Sequence, residues 1–285
     1  RDSTNVYAYS YIKIPKNVTW TLGASADFFE GTIDKDQFNP KVGATWKPAP
    51  STTLRVAASR ILHRTLISQQ TIEPTQVAGF NQFFSDPEGD SAWRYGAAVD
   101  YQFSSNLFSG LELSKRDIDS LYQDRETFTI RDDSKLYEYF GRAYINWIIA
   151  SWMSVNAGYR YERFERNLDD VGENSFLDLK THMIPLGVNF YCPFGFNFGL
   201  KAKYVDQEGE FTPDPFTRPV EVVEDSDQFW VLDAFLGYRL PRRLGFVSLE
   251  FKNLLDERFR FVNMDKANPE IAPEFWILGK VTLSF

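Results

Sequence analysis

Charged and amide side chains recur at every second position along segments of about ten residues. In "WRYGAAVDYQF", Arg94 and Asp100 alternate with aromatic and aliphatic residues, and in "FNFGLKAKY" Lys201 and Lys203 do the same. Such a face could form a polar path for a solute, with selectivity set by rings of charge, or cross-strand ion pairs that satisfy one another. Because the signs are mixed, pairing is favoured for any one residue, and a path depends on the whole set. The residues predicted to line this interior are Arg94, Asp100, Glu112, Arg116, Glu138, Arg142, Asn146, Arg160, Glu162, Lys201, Lys203, Asp233, Arg239, Glu250 and Lys252.

A hydrolytic site is the competing chemistry. His63 follows Ser59 on one predicted strand, and Asp86 and Asp90 lie in the next loop. No recognisable motif joins these residues, and rim polar residues are usually just solvated. Cys192 is the single cysteine, so an intrachain disulfide and a thiolate metal cluster are both excluded. The sequence therefore predicts no catalytic residue, no metal site, no cofactor and no enzyme activity.

The composition combines many aromatic residues with a hydrophilic average. Aromatic residues make up 16% of the 285 residues, whereas the mean hydropathy is −0.35. No stretch approaches the roughly 18 uninterrupted apolar residues of a membrane helix. A β-barrel in lipid fits this balance, because only every second residue must be apolar. The net charge of −8 argues against nucleic acid as a partner, since proteins that bind it are normally basic.

Alternating segments joined by connectors fill the chain, and helical periodicity is nearly absent. Their length matches the roughly 9–11 residues that a tilted strand needs to cross a bilayer. The fold class predicted is all-β: a transmembrane, antiparallel, up-and-down β-barrel. The predicted strands are 4–14, 19–29, 40–48, 53–63, 92–103, 107–116, 135–148, 152–164, 178–191, 195–205, 228–240, 245–255 and 274–285.

The connectors between these segments alternate between short and long. "PKNV" and "SSN" are short, whereas "EGTIDKDQFN" and "DIDSLYQDRETFTIRDDS" are long and acidic. Outer-membrane barrels have short periplasmic turns and long extracellular loops. A soluble sandwich, such as a lectin, has no reason to sort its loops in this way, so the pattern favours the barrel.

Strand parity bears on domain organisation. Thirteen strands cannot place both chain ends in the periplasm, and bacterial single-chain barrels have even strand numbers. We therefore expect residues 1–285 to form one barrel region, a C-terminal portion of a longer chain, with about 14 or more strands when complete.

The final segment, "EFWILGKVTLSF", ends on an alternating apolar face. It resembles the C-terminal signal that the barrel-assembly machinery recognises in outer-membrane proteins. The matching residues are Gly279, Val281, Leu283 and Phe285, although the glycine is displaced by one position. The resemblance implies that machinery and outer-membrane lipid as partners, with possible periplasmic or membrane partner proteins, and a location in the Gram-negative outer membrane.

Two further stretches resemble TonB-dependent receptors. In "FVSLEFKNLLDERFRF", Asn253, Leu254, Leu255, Asp256 and Phe259 occupy the places of that family's penultimate strand and following loop. The segment "TTLRVAASRILHRTLISQQTIEPTQVAGFNQ" resembles the family's mid-barrel strand and its Leu-x-Pro-Glu loop, here Ile72 to Thr75. The chain is also similar to outer-membrane barrels that follow a periplasmic tetratricopeptide-repeat region. No part of it resembles the plug or the TonB-contact segment.

The expected function is an outer-membrane, porin-like channel or transporter barrel with a polar lumen for solute or polymer passage. The alternative is a structural barrel that anchors a complex, and an outer-membrane hydrolase is a weaker third.

Overall fold

The computed structural model describes residues 2–30, 34–63, 73–84, 86, 88–123, 130–166, 175–212, 221–262, 271–272 and 274–283. Over these residues it is nearly all β-structure, with a short 3-10 turn at Pro241–Arg243. The strands are β1 Asp2–Ile12, β2 Val18–Glu30, β3 Lys35–Ala49, β4 Thr52–Leu62, β5 Gln76–Val77, β6 Phe80–Asn81, β7 Ser91–Ser104, β8 Leu107–Gln123, β9 Ile130–Ala150, β10 Met153–Arg166, β11 Ser175–Tyr191, β12 Phe196–Thr212, β13 Val223–Arg239, β14 Gly245–Lys252 and β15 Trp276–Leu283.

Thirteen of these strands form one sheet, in which each strand pairs antiparallel with the next in the chain, and β4 pairs with β7. The strands β5 and β6 form a separate hairpin. The antiparallel, up-and-down prediction and the count of thirteen are confirmed. Within the described residues β1 and β15 are not paired, so this portion of the barrel is open. No described helix is long and apolar enough to cross a membrane.

The two faces of the sheet are inverted relative to a soluble protein. On β3, Gln37, Asn39 and Lys41 are buried, whereas Phe38 and Val42, which point to the other side, are 63% and 47% exposed. We call the side that carries Asn39 and Lys41 the polar face and the opposite side the apolar face. The same alternation continues across the sheet and places large apolar side chains outward, which suits contact with hydrocarbon.

The predicted strand lengths are wrong for much of the sheet. β8 has 17 residues and β9 has 21, against the roughly 9–11 that crossing requires. Most of the acidic stretch predicted as the loop between them is paired strand, for example Asp119 with Lys135. The strict alternation of connectors is also wrong at its start: only residues 31–34 separate β2 from β3, because both strands extend into the predicted loop.

Two segments outside the main sheet pack onto its polar face. The first, Glu73–Phe84, contains the β5–β6 hairpin, and its Val77 and Phe80 are buried. We call it the inserted segment. The second follows β14 and brings Phe259 and Phe261 against Phe229. Two buried apolar clusters of the described residues lie beneath these segments.

Candidate functional site: the polar face

All of the residues predicted to line the interior lie on the polar face, because cross-strand partners share a face and neighbours along a strand alternate. For example, Arg94 pairs with Arg116, which pairs with Glu138. That these side chains line a solute path stays a prediction. What the structure adds is their grouping into clusters and the segments that cover them.

An arginine–carboxylate network joins the predicted residues of β7, β8 and β9. The carboxylate of Glu112 lies 3.0 Å from Arg142 Nη2 and 3.8 Å from Arg94 Nη2. Arg116 pairs with Glu138 at 2.5 Å and also with Asp86 from the connector before β7. Each carboxylate here faces one or more guanidinium groups, so the dominant local role is mutual neutralisation on a half-buried surface.

A smaller group extends this network toward β4. Arg55 Nε lies 3.2 Å from Asp100 Oδ2, and Tyr144 donates its hydroxyl to Asp100 Oδ1 at 2.6 Å. Sequence reasoning missed Arg55 and Tyr144. Their alternation with apolar neighbours on predicted strands is the signal that could have found them.

The remaining predicted residues are distributed over β9 to β14. Lys252 Nζ lies 3.5 Å from Asp233 Oδ2 and 3.6 Å from Glu250 Oε2. Arg160 pairs with Glu162 on its own strand at 2.5 Å. Three more predicted residues, Asn146, Lys201 and Arg239, lie on exposed parts of the polar face. These groups are less enclosed than the arginine network.

A buried polar cluster was missed by sequence reasoning. Lys41 Nζ lies 2.8 Å from Glu73 Oε1, and the two side chains are 1% and 3% exposed. Tyr9 donates its hydroxyl to the same Glu73 oxygen at 2.7 Å, and Lys41 also donates to Ser25 Oγ at 2.7 Å. Asn39 Nδ2 donates a hydrogen bond of 2.6 Å to the neighbouring carboxylate of Asp27. The alternation that marks Asn39 and Lys41 starts at Gln37, before the predicted start of β3 at residue 40.

The groups weighed for hydrolysis have structural partners. The Asp90 carboxylate accepts hydrogen bonds from Ser120 Oγ at 2.8 Å and Leu121 N at 2.9 Å, and burial raises its pKa to about 6. Burial lowers the pKa of His63, whose backbone bonds to Asp90 O at 2.7 Å and Gly89 N at 2.9 Å. Asp86 is paired with Arg116. These interactions join the described residues that follow β4 to those that precede β7.

Known proteins resemble this chain in structure rather than in sequence. No protein-family model and no curated protein sequence matches it. The FrpB iron transporter of Neisseria meningitidis superposes with a TM-score of 0.71 at 14% identity, over 97% of this chain and 43% of that one. The ferripyoverdine receptor of the Pseudomonas aeruginosa outer membrane gives 0.60 at 14%, over 90% and 35%. The ferric-catecholate import receptor Fiu of E. coli gives 0.57 at 16%, over 90% and 41%.

The chain has the fold of a TonB-dependent receptor barrel. The resemblance drawn from the sequence is thereby confirmed for the fold, and the all-β barrel class with it. The chain spans less than half the length of these solved structures. These three proteins are transporters and receptors. The tetratricopeptide-repeat relationship stays a prediction.

The motif after β14 shows what its residues do within this fold. Asn253 is fully buried, and its side chain makes two hydrogen bonds of 3.0 Å, one to Glu257 N and one to Glu257 O. Its backbone N donates to Asp233 Oδ1 at 3.0 Å. Asp256 Oδ1 accepts from Phe275 N at 3.2 Å, just before β15. Phe259 stacks on Phe229 with ring centroids 4.1 Å apart. The motif therefore builds the turn that brings the following segment onto the polar face.

The C-terminal signal is described only in part. Gly279, Val281 and Leu283 lie on β15, and Val281 pairs with Val247. Phe285 and Ile72 lie outside the described residues. Recognition of this strand by the barrel-assembly machinery stays a prediction.

Proposed function

We propose that the protein is a transporter barrel of the Gram-negative outer membrane that passes a solute through a polar interior. The observation that carries the proposal is the inverted sheet, with polar and charged side chains buried on one face and apolar side chains exposed on the other. Within a membrane the only spanning β-structure is a closed barrel, because each backbone group must be hydrogen-bonded. The fold of outer-membrane iron transporters and siderophore receptors supports the same function.

Ferric complexes are the first solutes to test. FrpB is an iron transporter, and the P. aeruginosa receptor binds ferripyoverdine. A chelated ferric ion is often anionic, and exposed cations such as Lys201 would favour its entry on electrostatic grounds. Binding is measured by equilibrium dialysis of radiolabelled ferric complexes, with the iron-free chelators as controls.

Solute passage itself is tested by single-channel recording. The full-length protein is purified in detergent, its folded barrel is confirmed by the shift of its band on heating before electrophoresis, and it is inserted into planar bilayers. Discrete conductance steps are expected. A folded barrel that carries no current would contradict passage of small ions.

A structural barrel that anchors a complex is the second candidate. One observation favours it: the inserted segment buries Lys41 on the polar face, and Phe259 stacks on Phe229 of the same face. An anchor would be folded, lipid-embedded and silent in the bilayer, and would be recovered with partner proteins. We propose lipid and the barrel-assembly machinery as partners in either case.

A further inference from the structure

We propose that the inserted segment is a built-in constriction of the barrel interior, held against the strands β1, β3, β4, β7 and β8 by a buried ion pair and by glycine-lined recesses. The proposal goes beyond the proposed function, on which it rests: a constriction matters only where something passes. Three independent sets of contacts carry it.

The first set is steric. The tip of the β5–β6 hairpin turns at Ala78 and Gly79, both with positive φ. A side chain at Gly43 of β3 would place its Cβ 2.7 Å from the Ala78 Cβ. A side chain at Gly96 of β7 would place its Cβ 2.5 Å from the ring of Phe80. Real Cβ atoms do not approach other atoms so closely, so the sheet has room for the hairpin only because these two positions lack side chains.

The second set is polar. Glu73, at the start of the inserted segment, is buried against Lys41 and Tyr9 of the sheet. Gln82, near its end, donates to the hydroxyl of Tyr9 at 2.9 Å. A buried carboxylate that loses its cation is strongly destabilised. The segment is thus fixed to the sheet at both of its ends.

The third set consists of contacts between aromatic rings of the segment and arginines of the sheet. The Phe80 ring lies 5.2 Å from Arg55 Cζ and 5.7 Å from Arg94 Cζ. The Phe84 ring lies 5.0 Å from Arg94 Cζ and 3.7 Å from Arg116 Cζ. Aromatic rings thereby occupy the faces of guanidinium groups that a solute would otherwise contact. The segment covers charge that the sequence assigned to the solute path.

Docking is tested by cysteine labelling in a Cys192→Ser background, which removes the exposed native thiol. Val77 is fully buried and its neighbour Gln76 is exposed, so Gln76→Cys is the matched control for Val77→Cys. A water-soluble maleimide should label Val77→Cys at least roughly tenfold more slowly, because a buried thiol reacts only after local opening. Equal rates in protein that shows the heat-dependent band shift would overturn the docked position.

Constriction is tested by releasing the segment. Lys41→Met removes the buried Lys41–Glu73 ion pair, and Gly96→Val fills the recess of Phe80, so the two variants perturb docking independently. Each should speed the labelling of Val77→Cys and raise the single-channel conductance of the folded barrel. Lys16→Met, at an exposed position in the turn before β2, is the control and should change neither.

The outcomes separate the two proposals. Faster labelling with unchanged conductance in a channel that conducts would overturn the constriction and leave solute passage standing. Silence of the wild type and of both released variants would overturn solute passage itself, whatever the labelling shows. Faster labelling with larger conductance supports both.

Discussion

Replacing Asn253 tests whether the turn after β14 depends on one side chain. Asn253 adopts φ of 48°, a left-handed conformation that asparagine tolerates better than other residues with a Cβ. Asn253→Ala removes both 3.0 Å hydrogen bonds to Glu257 and keeps the Cβ. Asn253→Gly removes the same bonds and also relieves the backbone strain.

The expected losses follow from these two contributions. Each hydrogen bond contributes about 1 kcal/mol net, so the pair accounts for roughly 2 kcal/mol. Alanine in the left-handed conformation adds roughly 1–2 kcal/mol of strain. Glycine avoids this strain but loses part of the gain, because its unfolded chain has greater entropy. We expect Asn253→Ala to lower the free energy of unfolding by about 3 kcal/mol and Asn253→Gly by about 2 kcal/mol.

The measurement is urea unfolding of the barrel in phospholipid vesicles, followed by tryptophan fluorescence. Leu254→Ala, at the exposed position next to Asn253, is the control and should change the free energy of unfolding by less than about 0.5 kcal/mol. Equal losses for alanine and glycine would refute the strain argument. Losses below about 0.5 kcal/mol for both would refute the hydrogen-bond argument as well.

The remaining predictions concern pH and lipid. Burial raises the pKa of Asp90 to about 6 from 3.8, so the unfolded chain releases this proton at a lower pH than the folded protein does. The free energy of unfolding should therefore fall by roughly 3 kcal/mol as the pH rises from about 4 to 6. In urea titrations across that range, Asp90→Asn should abolish this fall, and Asp36→Asn, at an exposed position, should preserve it. Leu113→Arg on the apolar face should cost roughly 2–4 kcal/mol in vesicles, whereas Lys201→Arg on the polar face should cost little, and equal effects would contradict the assignment of the faces.

The strand count could be predicted because each strand contacts two different environments. Along β7, exposed Tyr95 and Tyr101 alternate with buried Arg94 and half-buried Asp100, and such alternation is visible in the sequence alone. Strand ends beyond the apolar belt could not be predicted. In the C-terminal part of β8, "DIDSLYQ", both faces mix polar and apolar residues, so hydropathy carries no clear period there. Pairing with β9 continues through backbone hydrogen bonds, which the pattern of side chains does not reveal.

The arginine network shows what residue types can and cannot predict. Mixed signs on one face indicated ion pairing, and the network around Glu112 has that character. The packing of the inserted segment over this network could not be predicted. Phe80 is buried because Gly96 leaves room for its ring, and Gly96 lies on β7, beyond the connector. Complementarity between distant positions produces no local period, so a periodicity analysis assigns such a segment to an exposed loop.

The register of β7 and β8 makes the stability of this strand pair depend on the connector before β7. Arg94 and Arg116 are directly opposite each other, an arrangement that by itself destabilises an antiparallel pair. The Phe84 ring lies within cation–π distance of both guanidinium groups, and Asp86, two residues later, pairs with Arg116. The connector before β7 thus supplies both the aromatic surface and a carboxylate that make two facing cations tolerable. Removing it would take away Asp86 and the Phe84 ring and leave Glu112 and Glu138 to balance the two facing cations. The contacts that hold the inserted segment in place therefore also stabilise the wall behind it.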